Sequence, residues 1–383
     1  MAEVCGPISS VAVGPRGALY VFHRDGTVNG NQGGHKIKIY NRDGSHRQVL
    51  VPFPADIAAK KIRALGVFQT ATGDLVPHIH NFQTLSFYPD RVGVRGRDMP
   101  QLSCPAVDSR GRVYWLVKGP SLVAIDADGG IPYDAFLGPP LLPEIKELRL
   151  AGEGYHFWSE RPCLAVSSDD RHVYFAGLAT GLGDFKKAQP LPCVFRVNVA
   201  TRDGAEVFLG KLDRPRGKND GAKELLSAPR GLAVAKGLVY VADPPANRVV
   251  AFREADRSYA GEIAVENPQV VGVDPNSGAV YVCAYTGRQT ADLIKFSGLG
   301  GKELYRQTLP RTGQSPNVGE HRTVWICGDQ CGRSSCPCAW LYRVGAPQRC
   351  LGQRGSASRA SPRLAGDFQR VAPATTQVPP SAL

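Results

Sequence analysis

The chain has 383 residues, 43% of them hydrophobic and 21% charged, which are globular proportions. No window approaches 18 consecutive apolar residues, which excludes a membrane-spanning helix of ordinary length. Lys and Arg exceed Asp and Glu by twelve, but the excess is scattered, without aromatic residues interleaved at a regular spacing, so a basic soluble surface is expected and a nucleic-acid groove is not. Residues 1–20 lack the basic start and apolar run of a secretory signal. The expectation is therefore the cytoplasm for a whole chain, and secretion or the periplasm for a fragment.

In chain order, the first element is Val11–Val21, two apolar strands around Gly14-Pro15-Arg16-Gly17. A weaker copy runs from Ala64 to Val76, and His78 and His80 follow it. Residues two apart on a strand share a face, so these two imidazoles are the candidate metal pair, with no third ligand identifiable nearby. Stronger copies are Pro105–Trp115 and Pro162–Phe175. Between them lies Gly154-Tyr155-His156-Phe157-Trp158-Ser159-Glu160-Arg161. Its aromatic faces and charges suit a polar or sugar-like ligand, and equally an aromatic plug between sheets.

The clearest unit is Ser227–Phe252: two strands around a Lys236-Gly237 turn, a Pro/Asn loop, then Arg248-Val249-Val250-Ala251-Phe252. A second copy, Asn267–Cys283, follows at once and places Tyr281 41 residues after Tyr240. That period is one four-stranded propeller blade, and a sheet of that size buries its faces only by stacking on copies of itself. The expected fold is an all-β propeller over residues 1–345. Its units fall near 5–50, 60–95, 100–138, 160–210, 227–263 and 266–309, with a seventh at 315–345 if Arg322–Cys327 and Leu341–Val344 form a damaged last blade.

From Glu303 onward Lys is absent while Arg continues, and five of the ten cysteines fall at Cys327, Cys331, Cys336, Cys338 and Cys350. Their spacing misses the paired C-x2-C pattern of zinc knuckles, and zinc, disulfides and no defined role stay open. Cys5, Cys104, Cys163, Cys193 and Cys283 are dispersed and read as buried structural thiols. Residues 346–383 are rich in Arg, Ala, Ser, Pro and Gln, and are expected to be a disordered basic tail. A tether, an arm or a shifted reading frame would each account for the break in composition.

Pro229-Arg230-Gly231-Leu232-Ala233-Val234, with Gly237–Asp243 and Asn247–Phe252, resembles the NHL repeat. The resemblance implies a six-bladed propeller, with seven blades if the last unit counts. It also implies a ligand face where the loops that lead into the inner strands meet around the channel. On this chain that face would be lined by Arg161, Arg230 and Gln269, with Tyr155, His156 and Trp158 at the rim and Gln101 at a matching position. Related propellers include interaction modules, sensors, amidating lyases and lactonase-like hydrolases. No complete set of their metal ligands matches here, and Asp243, Asn247 and Arg248 read as loop-fixing residues. The expected function is therefore a non-catalytic binding or scaffold module, monomeric, taking a small polar ligand or a protein. The alternative is a zinc- or calcium-dependent hydrolase or lyase using the same channel. No hydrolase elbow, P-loop or dinucleotide fingerprint is present to point elsewhere.

Overall fold

The computed structural model describes residues 8–24, 35–51, 67–69, 71–72, 75–77, 103–117, 121–130, 140–142, 155–157, 162–180, 189–212, 225–287, 290–310, 325–327, 340–342 and 368–370, with positions 54, 56–58, 61 and 223. The Ser227–Phe252 unit shows how sequence becomes sheet. Leu232–Ala235 pairs antiparallel with Leu238–Asp243, closed by Ala235 opposite Leu238. Lys236 and Gly237 between them take φ of 52° and 69°, the doubly positive turn whose twist matches a hairpin. Pro244–Ala246 then forms a 3-10 turn that Asn247 ends at φ 51°. Arg248–Arg253 and Tyr259–Ala264 complete a four-stranded sheet in chain order.

Five sheets of this kind are present. Blade 1 comprises Ile8–Val13, Leu19–Arg24, His35–Tyr40 and His46–Val51. Blade 2 comprises Ala106–Val107, Val113–Val117, Ser121–Ile125 and Pro140–Leu142. Blade 3 comprises Cys163–Val166, His172–Ala176, Cys193–Asn198 and Ala205–Gly210. Blade 4 is the unit above. Blade 5 comprises Pro268–Val273, Val280–Tyr285, Thr290–Phe296 and Glu303–Pro310. The first strands of blades 1 to 5 touch one another in series and so form the inner wall. Trp325–Cys327, first strand of a three-stranded sheet with Trp340–Tyr342 and Phe368–Arg370, touches the first strands of both blade 5 and blade 1. The short sheet thus stands in the sixth sector.

This arrangement corrects the expected count of six or seven full blades. Among its described residues, unit 60–95 contributes only a hairpin of Val67–Gln69 with Leu75–Pro77, so one of the six sectors comes from the unit after 315. Trp325–Cys327 pairs antiparallel with Trp340–Tyr342. Phe368–Arg370, inside the stretch expected to be disordered, supplies the third strand. No helix of the described residues is long and apolar enough to cross a membrane.

The core lies in the seams between blades. Each second strand carries a buried tyrosine opposite a small residue of the first: Tyr20 faces Ala12, Tyr114 faces Ala106, Tyr174 faces Ala165, Tyr240 faces Ala233 and Tyr281 faces Gly272. A small partner leaves room for the ring, and the ring packs against the next blade. Tyr20 joins Val107, Val113 and Trp115; Tyr114 joins Val166 and Phe175; Tyr174 joins Val234 and Val250; Tyr240 joins Val271 and Val280. Two hydroxyls also cross the seams, Tyr20 donating to the Gly111 carbonyl (3.3 Å) and Tyr174 to Glu254 Oε1 (3.1 Å).

Buried charges latch the loops. The Asp243 carboxylate, with no exposed surface, accepts hydrogen bonds from the Ser227 and Ala228 N–H groups. Arg248 donates to the Leu225 carbonyl (2.7 Å) and pairs with Glu262 (2.9 Å). These are the loop-fixing roles expected for the two residues. Asn247 Oδ1 accepts from the Asn267 N–H (2.9 Å) and so ties the blade 4 loop to the start of blade 5.

The seam makes a graded prediction. Tyr174→Phe removes one hydrogen bond and should cost about 1 kcal/mol of unfolding free energy. Tyr174→Ala opens a cavity between blades 3 and 4 and should cost about 3–5 kcal/mol. Urea unfolding of both variants measures the two costs, and equal costs would show that the ring does not carry the seam.

Candidate functional site

The lead-in to each inner strand is fixed by the tyrosine ruler. Counting back from the small residue opposite each tyrosine, Arg230 in blade 4 corresponds to Gln269 in blade 5, Pro162 in blade 3 and Ser103 in blade 2. The next ring position holds Ser10, Cys104, Cys163, Gly231 and Val270 in blades 1 to 5. These residues come from five blades and meet at one level of the inner wall.

Blades 4 and 5 approach closely here. A Cβ on Gly231 would stand 2.9 Å from Gln269 O, Val270 Cα and Val271 N, all main-chain atoms of the neighbouring blade. The glycine of Pro229-Arg230-Gly231 is therefore required by a backbone contact, with no need of positive φ. That contact brings the two predicted residues together. The half-buried Arg230 guanidinium donates through Nη1 to Gln269 Oε1. Gln269, buried beneath it, donates through Nε2 to Asn267 Oδ1 (2.6 Å) and to the Asn267 carbonyl (3.2 Å). Asn267 donates in turn to the Tyr285 carbonyl (3.1 Å), and Arg230 N–H to the Ala242 carbonyl (2.9 Å). The chain of bonds orients one guanidinium from beneath.

The other predicted site residues are placed less fully. Tyr155 and His156 lie in the strand Tyr155–Phe157, which pairs with Leu178–Thr180 in an accessory sheet with Gln189–Pro190. Trp158, Arg161 and Gln101 lie outside the described residues, as do His78 and His80. In sequence, Arg161 and Gln101 are one and two residues before Pro162 and Ser103, the counterparts of Arg230. Of the cysteine cluster, only Cys327 is described, as the end of a strand. Among the described residues, no three His, Cys, Asp or Glu side chains come together as a metal set.

The cysteines divide in a way the sequence reading missed. Cys193 and Cys283 are buried, as expected of structural thiols. Cys104 and Cys163 are instead partly exposed, on adjacent blades at one ring position, with their sulfurs 3.8 Å apart. The Cys104 N–H donates to the Pro162 carbonyl (2.8 Å), so the main chains run at hydrogen-bonding distance. The signal was present in the sequence. Each cysteine stands two residues before its small residue, Ala106 or Ala165, but the offset has meaning only once the copies are aligned on their tyrosines.

The surroundings favour ionisation of Cys163. The hydrogen bond with Cys104, then the Leu232 N–H and the Arg230 charge, outweigh burial and hold its thiol below the usual range. On blade 1 the equivalent Ser10 is buried, and its Oγ has no hydrogen-bond partner among the described residues.

No family model and no curated protein matches the sequence. The NHL resemblance therefore rests on the motifs alone. Among solved structures, the chain is similar to a nidogen/laminin complex (10% identity, TM-score 0.41, covering 78% of this chain and 79% of that one). It is also similar to a luciferin-regenerating enzyme (10% identity, TM-score 0.44, 92% and 90%) and a mitotic checkpoint complex (11% identity, TM-score 0.40, 88% and 86%). At these identities and scores none of them transfers a function to this chain.

The thiol environment makes a prediction with a defined sign. Interactions that favour the thiolate lower the folded-state value, so Cys163 should be alkylated by iodoacetamide at pH values below those an ordinary thiol (about 8.5) requires. Cys104→Ala removes the first of those interactions and should move the rate profile to higher pH. Peptide mapping across a pH series measures both profiles, and a wild-type midpoint at or above the ordinary thiol value would contradict the assignment.

Proposed function

We propose that this propeller is a binding module whose channel mouth captures a polar or acidic group, presented by a small ligand or a protein, through Arg230. The observation that carries the reading is the hydrogen-bonded series Arg230, Gln269, Asn267 across blades 4 and 5. A guanidinium already oriented from below loses little side-chain freedom on binding, which is the usual obstacle to using a long cationic side chain as an anchor. Planar guanidinium donors match a carboxylate. The unpartnered Ser10 hydroxyl at the same level of the wall is a second polar group suited to a ligand. Tyr155, His156 and Trp158 belong to the proposal as rim residues, and Arg161 as a further cation near the same mouth.

The binding module is non-catalytic in this reading. It needs a shaped polar surface, whereas hydrolysis or elimination needs ionisable groups converging on one reacting centre.

Titration of the purified protein with succinate, followed by amide chemical shifts or calorimetry, tests the proposal. Saturable binding is expected, with Arg230→Ala weakening it about 10- to 100-fold, the worth of a hydrogen bond to a charged group. The melting temperature of the variant should fall only by the few degrees expected from leaving Gln269 Oε1 without this donor. A melting temperature that falls in step with binding would mark Arg230 as structural and overturn the reading, as would equal binding by both proteins.

A further inference from the structure

We propose that Cys163 and Cys104 form a hydroperoxide-reactive dithiol at the channel mouth, in which Cys163 is the attacking thiolate and Cys104 the resolving thiol. Four structural facts support it, and none depends on what the channel binds. The sulfurs are 3.8 Å apart and in hydrogen-bonding contact. As whole residues both are only partly buried, the Cys163 thiol itself being enclosed, whereas Cys193 and Cys283 are buried in strands. The Cys104–Pro162 main-chain bond (2.8 Å) sets the two chains at the spacing of paired strands, roughly 4.8 Å, inside the Cα separation a disulfide tolerates. Closing the sulfurs to about 2.05 Å then requires side-chain rotation and no rearrangement of blades. Lastly, the Leu232 N–H and the Arg230 charge act on Cys163 and favour its thiolate as the attacking group.

The chemistry balances with a hydroperoxide as oxidant. The Cys163 thiolate attacks the distal peroxide oxygen; an S–O bond forms and the O–O bond breaks. The departing alkoxide, or hydroxide from hydrogen peroxide, takes a proton and leaves as alcohol or water. Cys163 is now a sulfenic acid. Cys104, as thiolate, attacks the Cys163 sulfur; the S–S bond forms, the S–O bond breaks, and hydroxide leaves with a proton as water. Two thiols are oxidised, one peroxide is reduced, and the product is a disulfide joining the inner strands of blades 2 and 3. Cys104 is 59 residues before Cys163, so the crosslink closes a long loop.

The test uses the full reduced chain. It is exposed to one equivalent of hydrogen peroxide, quenched with N-ethylmaleimide and mapped without reduction. The expected product is a Cys104–Cys163 linked peptide two hydrogens lighter than its parts, with Cys193 and Cys283 alkylated only after denaturation. Cys104→Ser should leave a dimedone-reactive sulfenic acid on Cys163. Recovery of Cys163 as an unmodified thiol, crosslinks confined to Cys327–Cys350, or dimedone on Cys104 in place of Cys163 in a Cys163-containing protein would each overturn the proposal. The wild-type map decides the matter if the serine variant does not fold.

Discussion

Everything in this molecule depends on the tyrosine in the second strand of each blade and the small residue facing it. A tyrosine buries roughly 150–250 Å² of surface, too much for a sheet with a bulky residue opposite. Ala12, Ala106, Ala165, Ala233 and Gly272 give way to it, and in blades 1 to 4 the ring fills the seam to the next blade. The apolar clusters are consequently shared between neighbours: blades 1 and 2, 2 and 3, 3 and 4, 4 and 5. Blade 5 alone also holds a small cluster of its own, around Tyr281, Cys283 and Leu293. Stability is a property of stacking, and the inner wall inherits its shape from the seams.

That shape sets what the lead-ins to the inner strands present. Blades pressed together by large residues at mid-strand must also fit at the lead-in, and Gly231 shows how tightly. Where one position loses its side chain to a backbone contact, the residue before it, Arg230, is oriented across the seam by its neighbour's Gln269. Where the same position keeps side chains, on blades 2 and 3, two cysteines are brought into contact. The polar wall is thus a consequence of packing register. Loop latches such as Asp243 and Arg248 hold that register, since leaving their buried partners unsatisfied costs about 1–3 kcal/mol each.

The local fold was legible because its signals are local. Lys236-Gly237 named its turn, and the φ values of 52° and 69° are the ones that turn demands. Val-Tyr-Val segments named their strands, and Pro244 to Asn247 named a loop. Blade number was less legible, because Ala64–Val76 carries the hairpin half of the motif and hairpins do not disclose whether a third and fourth strand follow. The short sheet after 325 shows the converse: poor motif, yet a place in the ring, since its position is set by the two blades that flank it. The Arg230–Gln269 pair was half legible. Both residues were named as channel residues, but their bond to each other crosses blades, and no period within one repeat contains it. The thiol pair was hidden for the same reason, since the shared offset of Cys104 and Cys163 has meaning only once the copies are aligned across blades.

Arg230 is where the two proposals meet. Its charge orients toward Gln269 from one blade and lowers the Cys163 thiol on another. Under the two proposals, a thiolate and an acidic ligand compete for the same positive field, and each makes the other less favourable. Oxidation of Cys163 to a disulfide removes one of the competitors, because a disulfide carries no charge. It also adds a covalent bond across the seam between blades 2 and 3, next to a wall held only by packing and hydrogen bonds. The coupling is reciprocal: a bound anion that screens Arg230 takes away part of what makes Cys163 reactive, and the thiolate state takes away part of what makes Arg230 available.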